Sequence, residues 1–275
     1  MTEPWALAHT KARDAGVTLA PLTTVDDADL INDVIEATWG GQHLDREVVR
    51  ALAISGNVSW GAFDDAGTLI GFVLGWAGVD DDGLHVHSHM LAALPGHRHR
   101  GIGEALKLAQ RAQALDQGID VVRWTFDPLV ARNGWLNLGK LGGVIDRFAR
   151  NFYGEMADAI NAGERSDRFT VAWHLRREPG AHVVTEPPSE LLVRSVEDLP
   201  APVPSGERPG MAALIELPVD YHGLRTVAPG LATMWRDAIA DAVEACLDAK
   251  MVGAAFDRTR SAYVFAVPDA IQGGV

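Results

Sequence analysis

The 275-residue sequence contains a single cysteine, Cys246. One thiol excludes an internal disulfide framework and any zinc site built from several cysteines. Cations are scarce as well. Against 37 aspartates and glutamates stand 24 lysines and arginines, a formal charge of −13. A surface of that sign repels a phosphate backbone, so no nucleic-acid partner is expected. No apolar run approaches the ~20 residues that cross a bilayer, and no charged, apolar, small-residue leader opens the chain. These absences predict a cytoplasmic protein without a membrane partner. With 47% apolar residues, a chain of this length buries a core readily, as one large domain or two smaller ones.

What is present concentrates between Leu84 and Asp127. A strand reads into a basic, glycine-rich turn (Gly96 to Gly103), then a helix to Gln117 and an apolar run from Ile119 to Phe126. A strand that feeds a helix through such a turn leaves free backbone N–H groups at the helix start. The helix dipole adds partial positive charge there, so the turn is an anion site. His97, Arg98, His99 and Arg100 gather at it, and Lys107 and Arg111 on the helix are expected to extend the basic patch. The local sign thus opposes the global one. Spacing narrows the ligand. No Gly-x-x-x-x-Gly-Lys-Ser/Thr run exists, and Leu106 stands where a dinucleotide fingerprint needs its third glycine. The bland alternative is an ordinary strand-to-helix turn.

Arg98-x-x-Gly101-x-Gly103, preceded by Pro95, resembles the pyrophosphate loop of the GNAT N-acetyltransferases. The element order is similar too: strand, helix, three strands, helix, strand, helix. The resemblance implies an α/β (α+β) GNAT fold, with a mixed, mostly antiparallel sheet, a V-shaped splay between its central strands and a C-terminal α/β extension. It implies acetyl-CoA, or another acyl-CoA such as succinyl-CoA, as co-substrate. By the same likeness the backbone at Leu91 and Ala93 meets the pantetheine amides. Arg98, His99, Arg100, Gly101, Ile102 and Gly103 hold the pyrophosphate, and Asn133 contacts the cofactor. The tyrosine that the family places later on the next helix to protonate the thiolate is missing. Leu138 stands there, with Asn137 beside it, which leaves Tyr153 as a substitute acid. A narrower likeness covers about residues 17 to 267. It rests on His87-Ser88-His89-Met90, Leu106-Lys107-x-x-Gln110-Arg111, Trp124 to Leu129, Tyr153-Gly154 and Ser166-Asp167-Arg168. These look like an uncharacterised acyltransferase branch, some of whose members accompany N-acylamino-acid racemases and for which succinyl transfer to amino acids is implied.

The rest of the chain is read in order. Met1 to Gly16 is a short helix or loose arm with Trp5 packing on the body, Val17 to Thr23 a strand, and Thr24 a helix start. Val58 to Phe63 and Thr68 to Val79 are strands joined by Asp64-Asp65-Ala66-Gly67, a hairpin signal. Trp60, Phe72 and Trp76 read as core or acceptor-pocket wall. A helix follows Leu129 and runs to Leu141, and Phe169 to Leu175 is a closing strand. Arg176 to Ser189 reads as a linker. Beyond it come strands at Leu191 to Ser195 and Met211 to Leu217, a Pro-rich loop from Pro200 to Pro209, a helix from Leu231 to Lys250 and a closing hairpin. The expected division is a catalytic domain over residues 1–178 and an extension over 179–275, a partial second half-fold or a layer completing the acceptor site.

His85, His87 and His89 alternate, so a regular strand presents all three on one face, with Ser88 on the other unless a bulge intervenes. They are read as satisfied structural histidines, as acid/base groups or, with no accompanying carboxylate identified, as a metal site. Acyl transfer to an amine needs that amine neutral, and a group titrating near neutrality suits the task. Alignment on the loop puts His87 where the family uses a glutamate base, with His89 as alternative base or orienting group. A backbone N–H near Met90 or Leu91 is expected to stabilise the oxyanion. The expected function is an acyltransferase acting on a small amine, with an amino acid as one candidate, its carboxylate meeting Arg123, Arg132, Arg147, Arg150 or Arg168. No resident metal and, as oligomer, a homodimer complete the expectations. An acyl-CoA sensor without turnover and a metal-dependent hydrolase stay open.

Overall fold

The computed structural model describes residues 2–273 apart from 42, 58, 99, 156–162, 187, 189, 197–198 and 203–209. Its contacts divide into two compact units. One comprises Met1–Trp124 and His174–Arg176, the other Thr125–Met156, Gly163–Trp173 and Arg177–Val275.

The first unit opens with α1 (Glu3–Asp14), which buries the small side chains of Ala8 and Ala12. The arm is docked as expected: Trp5 donates to Asp116 at 2.6 Å and its ring lies 4.7 Å from that of Trp60. β1 (Thr18–Leu22) leads into α2 (Val25–Trp39). Thr24 starts this helix with a capping box: its hydroxyl accepts from the Asp27 N–H while the Asp27 carboxylate accepts from the Thr24 N–H. A helix the sequence reading passed over, α3 (Arg46–Ile54), buries only Val49 of its own residues. β2 (Ser59–Phe63), β3 (Leu69–Asp80) and β4 (Gly83–Ala93) follow as an antiparallel meander. β3 is apolar and buried from Leu69 to Gly75, because helices cover both of its faces. On one face α2 and α3 bring Ile31, Ile35, Val49 and Leu52 against Phe72, Leu74 and Ala92. On the other lies α4 (Ile102–Asp116), buried nearly all round between α1 and the strands. β5 (Val121–Phe126) returns parallel to β4.

The second unit orders its strands β7 (Arg168–His174), β6 (Val144–Ala149), β11 (Val252–Asp257), β12 (Ala262–Ala266), β10 (Ala212–Glu216), β8 (Glu190–Val196) and β9 (Leu199–Pro202). All neighbours in it are antiparallel except β8 and β10. With the single parallel pair of the first unit, the sheet structure is mixed and mostly antiparallel, as the sequence led one to expect. α6 (Tyr221–Val227) and α7 (Pro229–Asp248) supply helical cover, with Trp235, Ile239 and Val243 of α7 buried.

Two segments differ from expectation for identifiable reasons. Residues 199–202 were assigned to a Pro-rich loop but pair with β8. They form an edge strand, where a proline without an N–H costs no ladder bond; the rest of that loop, 203–209, lies outside the described residues. The helix expected through Leu141 is a four-residue α5 (Ala131–Gly134) that widens into a π-helix over Trp135–Lys140. Within the wide turn a Cβ on Gly139 would collide with the Trp135 ring, so glycine is what lets that ring lie back over its own helix.

Candidate active site

Chain direction fixes most of the site. β4 pairs along its whole length with β3, from Asp80↔Gly83 to Gly71↔Ala93. With β5 it shares only Val86↔Val122 and His87↔Arg123. Past His87 the two strands part, and among the described residues Ser88 to Ala93 have no ladder partner on that side. The Leu94 amide donates to the Ile70 carbonyl at 2.9 Å. Since hydrogen-bonding direction alternates along a strand, Ala92 also faces β3, whereas Leu91 and Ala93 turn their N–H and C=O to the open edge. The strand leads through Pro95–His97, one turn of 3₁₀-helix, to Gly101. That residue is the N-cap of α4 and holds φ +91, a left-handed conformation natural to glycine. The first helical bond runs from the Ala105 amide to the Gly101 carbonyl. The N–H groups of Ile102, Gly103 and Glu104 therefore precede the helical ladder and point out of its start.

Side chains around this turn are partly committed. Arg98 Nε donates to the Ala93 carbonyl at 3.3 Å, tying the turn to the end of β4. Arg100 is exposed, with its guanidinium beside Gly16. His99 lies outside the described residues. Glu104, an acid in the first turn of α4, is paired with Lys11 of α1 at 2.9 Å.

Lys107 and Arg111 require a correction. They are not part of a solvent-facing basic patch: both are buried, 2% and 5% exposed. Lys107 Nζ donates to Ser88 Oγ at 2.7 Å and to Gln110 Oε1 at 3.3 Å, and lies 3.7 Å from the centre of the Trp124 ring. Arg111 Nε donates to the Leu175 carbonyl at 3.0 Å.

The histidines occupy the opposite face of β4. A bulge falls where Leu74↔Met90 gives way to Gly75↔Ser88, leaving His89 without its own partner on β3. Both His87 and His89 stack on Trp76, at 5.1 and 4.9 Å between ring centres, and lie 5.7 Å from each other. Trp76 is thus a wall of the histidine site rather than plain core. His85 is set apart: it packs over Gly78 and its Nδ1 lies 3.1 Å from the Gly83 carbonyl and 3.7 Å from Asp80. Burial, then the neighbouring His89, His85 and Lys107, push the His87 pKa down to about 4. Burial lowers that of His89 as well. His87 is therefore a neutral imidazole at physiological pH, with a lone pair free to take a proton, but it does not titrate near neutrality. That corrects the sequence-based expectation of its pKa, and the cause is desolvation against Trp76 and its neighbours. Arg123, opposite His87 on β5, pairs with Asp82 at 2.8 Å.

Tyr153, Asn133 and Leu138 belong to the second unit. The Tyr153 side chain is 45% exposed, its hydroxyl is 2.9 Å from that of Thr125, and Arg168 lies over its ring. Leu138 is fully buried and Asn137 nearly so, both in the π-helix. Of the other arginines considered for a carboxylate, Arg150 is held by Asp241 and Glu244, and Arg168 lies 3.7 Å from Asp127. Arg132 lies 3.5 Å from His222, and Arg147 is exposed on β6. Among the described residues no group of three histidines, cysteines or acids is placed to hold a metal ion, and no helix is long and apolar enough to cross a membrane.

Comparison with known proteins bears on this region. The sequence matches no curated protein. Among solved structures, the likenesses include the NatC complex bound to Gag peptide and CoA (16% identity over 57% of this chain and 98% of the other, TM-score 0.46). They also include the ribosomal-protein-S18-alanine N-acetyltransferase of Escherichia coli (14%, 58% and 94%, TM-score 0.44) and Arabidopsis thaliana NAA60 in complex with acetyl-CoA (17%, 57% and 99%, TM-score 0.45). The model of the Acetyltransferase (GNAT) family matches residues 29–133, from within α2 through the parted strands and the turn to α5. Residues 29–133 thus match the Acetyltransferase (GNAT) family, and the parted strands, the turn and α4 all lie within that match.

Proposed function

We propose that the protein moves an acetyl or succinyl group from coenzyme A to a small amine, with an amino acid as the favoured acceptor, by direct attack of the amine on the thioester. The observation that carries this reading is the parting of β4 from β5 immediately after His87. It opens a strand edge at Leu91 and Ala93 that runs straight to the amides at the start of α4. An acyl-CoA has a matching layout: two pantetheine amides that pair with a free strand edge, then a pyrophosphate that suits a helix N-terminus.

The acceptor's proton passes to His87, neutral and half-buried beside Trp76, with His89 as its neighbour and alternate. The amine then attacks the carbonyl, and the amide of Met90 or Leu91 donates to the oxyanion as the tetrahedral intermediate forms. Collapse expels the thiolate, to which Tyr153 is the assigned donor, and the second proton of the acceptor nitrogen leaves to the tyrosinate so formed, giving the neutral amide and the free thiol. Asn133 is assigned a cofactor contact. Arg123, beside His87, is the favoured partner for an acceptor carboxylate, which would exchange with Asp82. The catalytic work is assigned to residues 1–178 and acceptor selection to 179–275.

A thermal-shift panel of acyl-CoAs, followed by turnover of the best donor with amino acids and simple amines, tests the reading. Stabilisation by acetyl- or succinyl-CoA with transfer to an amine is expected. Binding without transfer to any amine would favour a sensor, and no acyl-CoA binding would overturn the proposal.

A further inference from the structure

Lys107 has no place in the chemistry above, yet its surroundings are specific. Its Nζ touches Ser88 on β4 and the Trp124 ring on β5. The last paired step between these strands is His87↔Arg123, so Ser88 and Trp124 are the residues one step beyond it, where the ladder opens. Gln110, one helical turn on, adds a second oxygen acceptor. At 2% exposure the ammonium form of Lys107 is costly and pairs with no carboxylate among the described residues, so burial holds its pKa well below that of an ordinary lysine. Two oxygens and the face of an indole are what an ammonium can use in place of water.

We propose that Lys107 is a positioning residue of the acyl-transfer site: from α4 it bridges β4 and β5 where they begin to part, fixing the width of the opening beside His87. The inference rests on the acyltransferase reading only for its kinetic consequences. The bridge to Ser88 sets the backbone between His87 and the bulge at His89, and with it the amides of Met90 and Leu91. How far the strands part also sets how far His87 is buried, and burial is the first cause of its lowered pKa. The groups around His87 are His85 and His89 on its own strand and Trp76 on β3. Arg123, paired with Asp82, stands opposite on β5, and Lys107 lies behind it on α4. Trp76 packs at the edge of the apolar cluster that α2 and α3 form with β3, whose buried members include Ile31, Ile35 and Val49.

The test replaces the cation with an apolar side chain of similar length, Lys107→Met, and removes its acceptor in Ser88→Ala. Methionine fills much of the volume of the lysine stem, so Lys107→Met should fold and melt close to the wild-type temperature. Side-chain NMR titration should then show the His87 midpoint moving up from about 4 as a loosened opening relieves its burial, a readout that needs no substrate. In Ser88→Ala, which breaks the same bridge from the β4 side, the midpoint should move in the same direction. If the wild type turns over acyl-CoA, both variants should lose roughly ten- to a hundredfold in kcat, as expected for a small misplacement of reacting groups. An unmoved His87 midpoint in a folded Lys107→Met protein would overturn the proposal, whether or not the protein proves to be an acyltransferase. If Lys107→Met fails to fold, Lys107→Gln takes its place under the same criterion. A shifted midpoint with no acyl-CoA binding by the wild type would instead overturn only the functional reading.

Discussion

His87 carries the heaviest chemical assignment, and its environment makes a signed prediction. Its folded pKa lies near 4, below the ordinary 6.5, because the neutral ring is favoured where it is half-buried. Between those two values the unfolded chain binds more protons than the folded one, so this group's contribution to stability is present above about 6.5 and is lost as pH falls towards 4. The same shift places the acidic limb of the rate profile near pH 4, with no inflection from this residue between pH 6 and 8. His87→Ala should lower kcat by about a hundred- to ten-thousandfold, the usual cost of losing a general base, while acyl-CoA affinity stays close to wild type. A variant with wild-type turnover and an intact acidic limb would return the histidines to a structural role. Alternation in the sequence sufficed to put His87 and His89 together on a face. The bulge at His89 and the stacking on Trp76 were not legible, because they depend on the register with β3, which no local pattern encodes. Lys107 was misread for a related reason. Charge on a helix is ordinarily a sign of exposure, and only the packing of α4 between α1 and the strands shows this cation to be inside.

At the scale of elements, the segments with strong local chemistry were legible and the others were not. Thr24 and Asp27 announce α2 through a capping box, and the box is formed. Thr24→Ala should therefore cost about 1 kcal/mol, read as a lowered midpoint in urea with an unchanged slope; no loss would mean that packing alone sets the start of α2. The glycine turn before α4 was legible for the same reason, since Gly101 occupies a conformation its neighbours would resist. By contrast α3 buries one of its own residues, and α6 is only seven residues long. β9 contains two prolines that only an edge position tolerates. The π-helix was beyond sequence reading as well: its residues have ordinary helical composition, and the widening depends on how Trp135 lies over Gly139.

At the scale of the whole molecule, the C-terminal segment is structurally committed to residues that precede it. β6 pairs with β11. Arg150 is held by Asp241 and Glu244, Arg165 by Asp237, and Arg236, 5% exposed, by Asp127 and Glu164. A chain ending at Arg177 would strip β6 of that neighbour and leave Asp127 and Glu164 without their buried cation, so it should be insoluble or lack a cooperative melt. Recovery of a soluble truncated protein with a sharp transition would contradict this and make the segment an independent module. The account as a whole turns on whether the parted strands and the turn after them receive an acyl-CoA. Calorimetry with acetyl-CoA, on the wild type and on Gly103→Val, tests that most directly. Gly103 lies in the first turn of α4, where a branched side chain would stand between the exposed amides and a pyrophosphate. The account predicts measurable binding by the wild type and none by a Gly103→Val protein that keeps the wild-type circular dichroism and melting temperature. Equal affinity in the two proteins, or no binding by either, would contradict it.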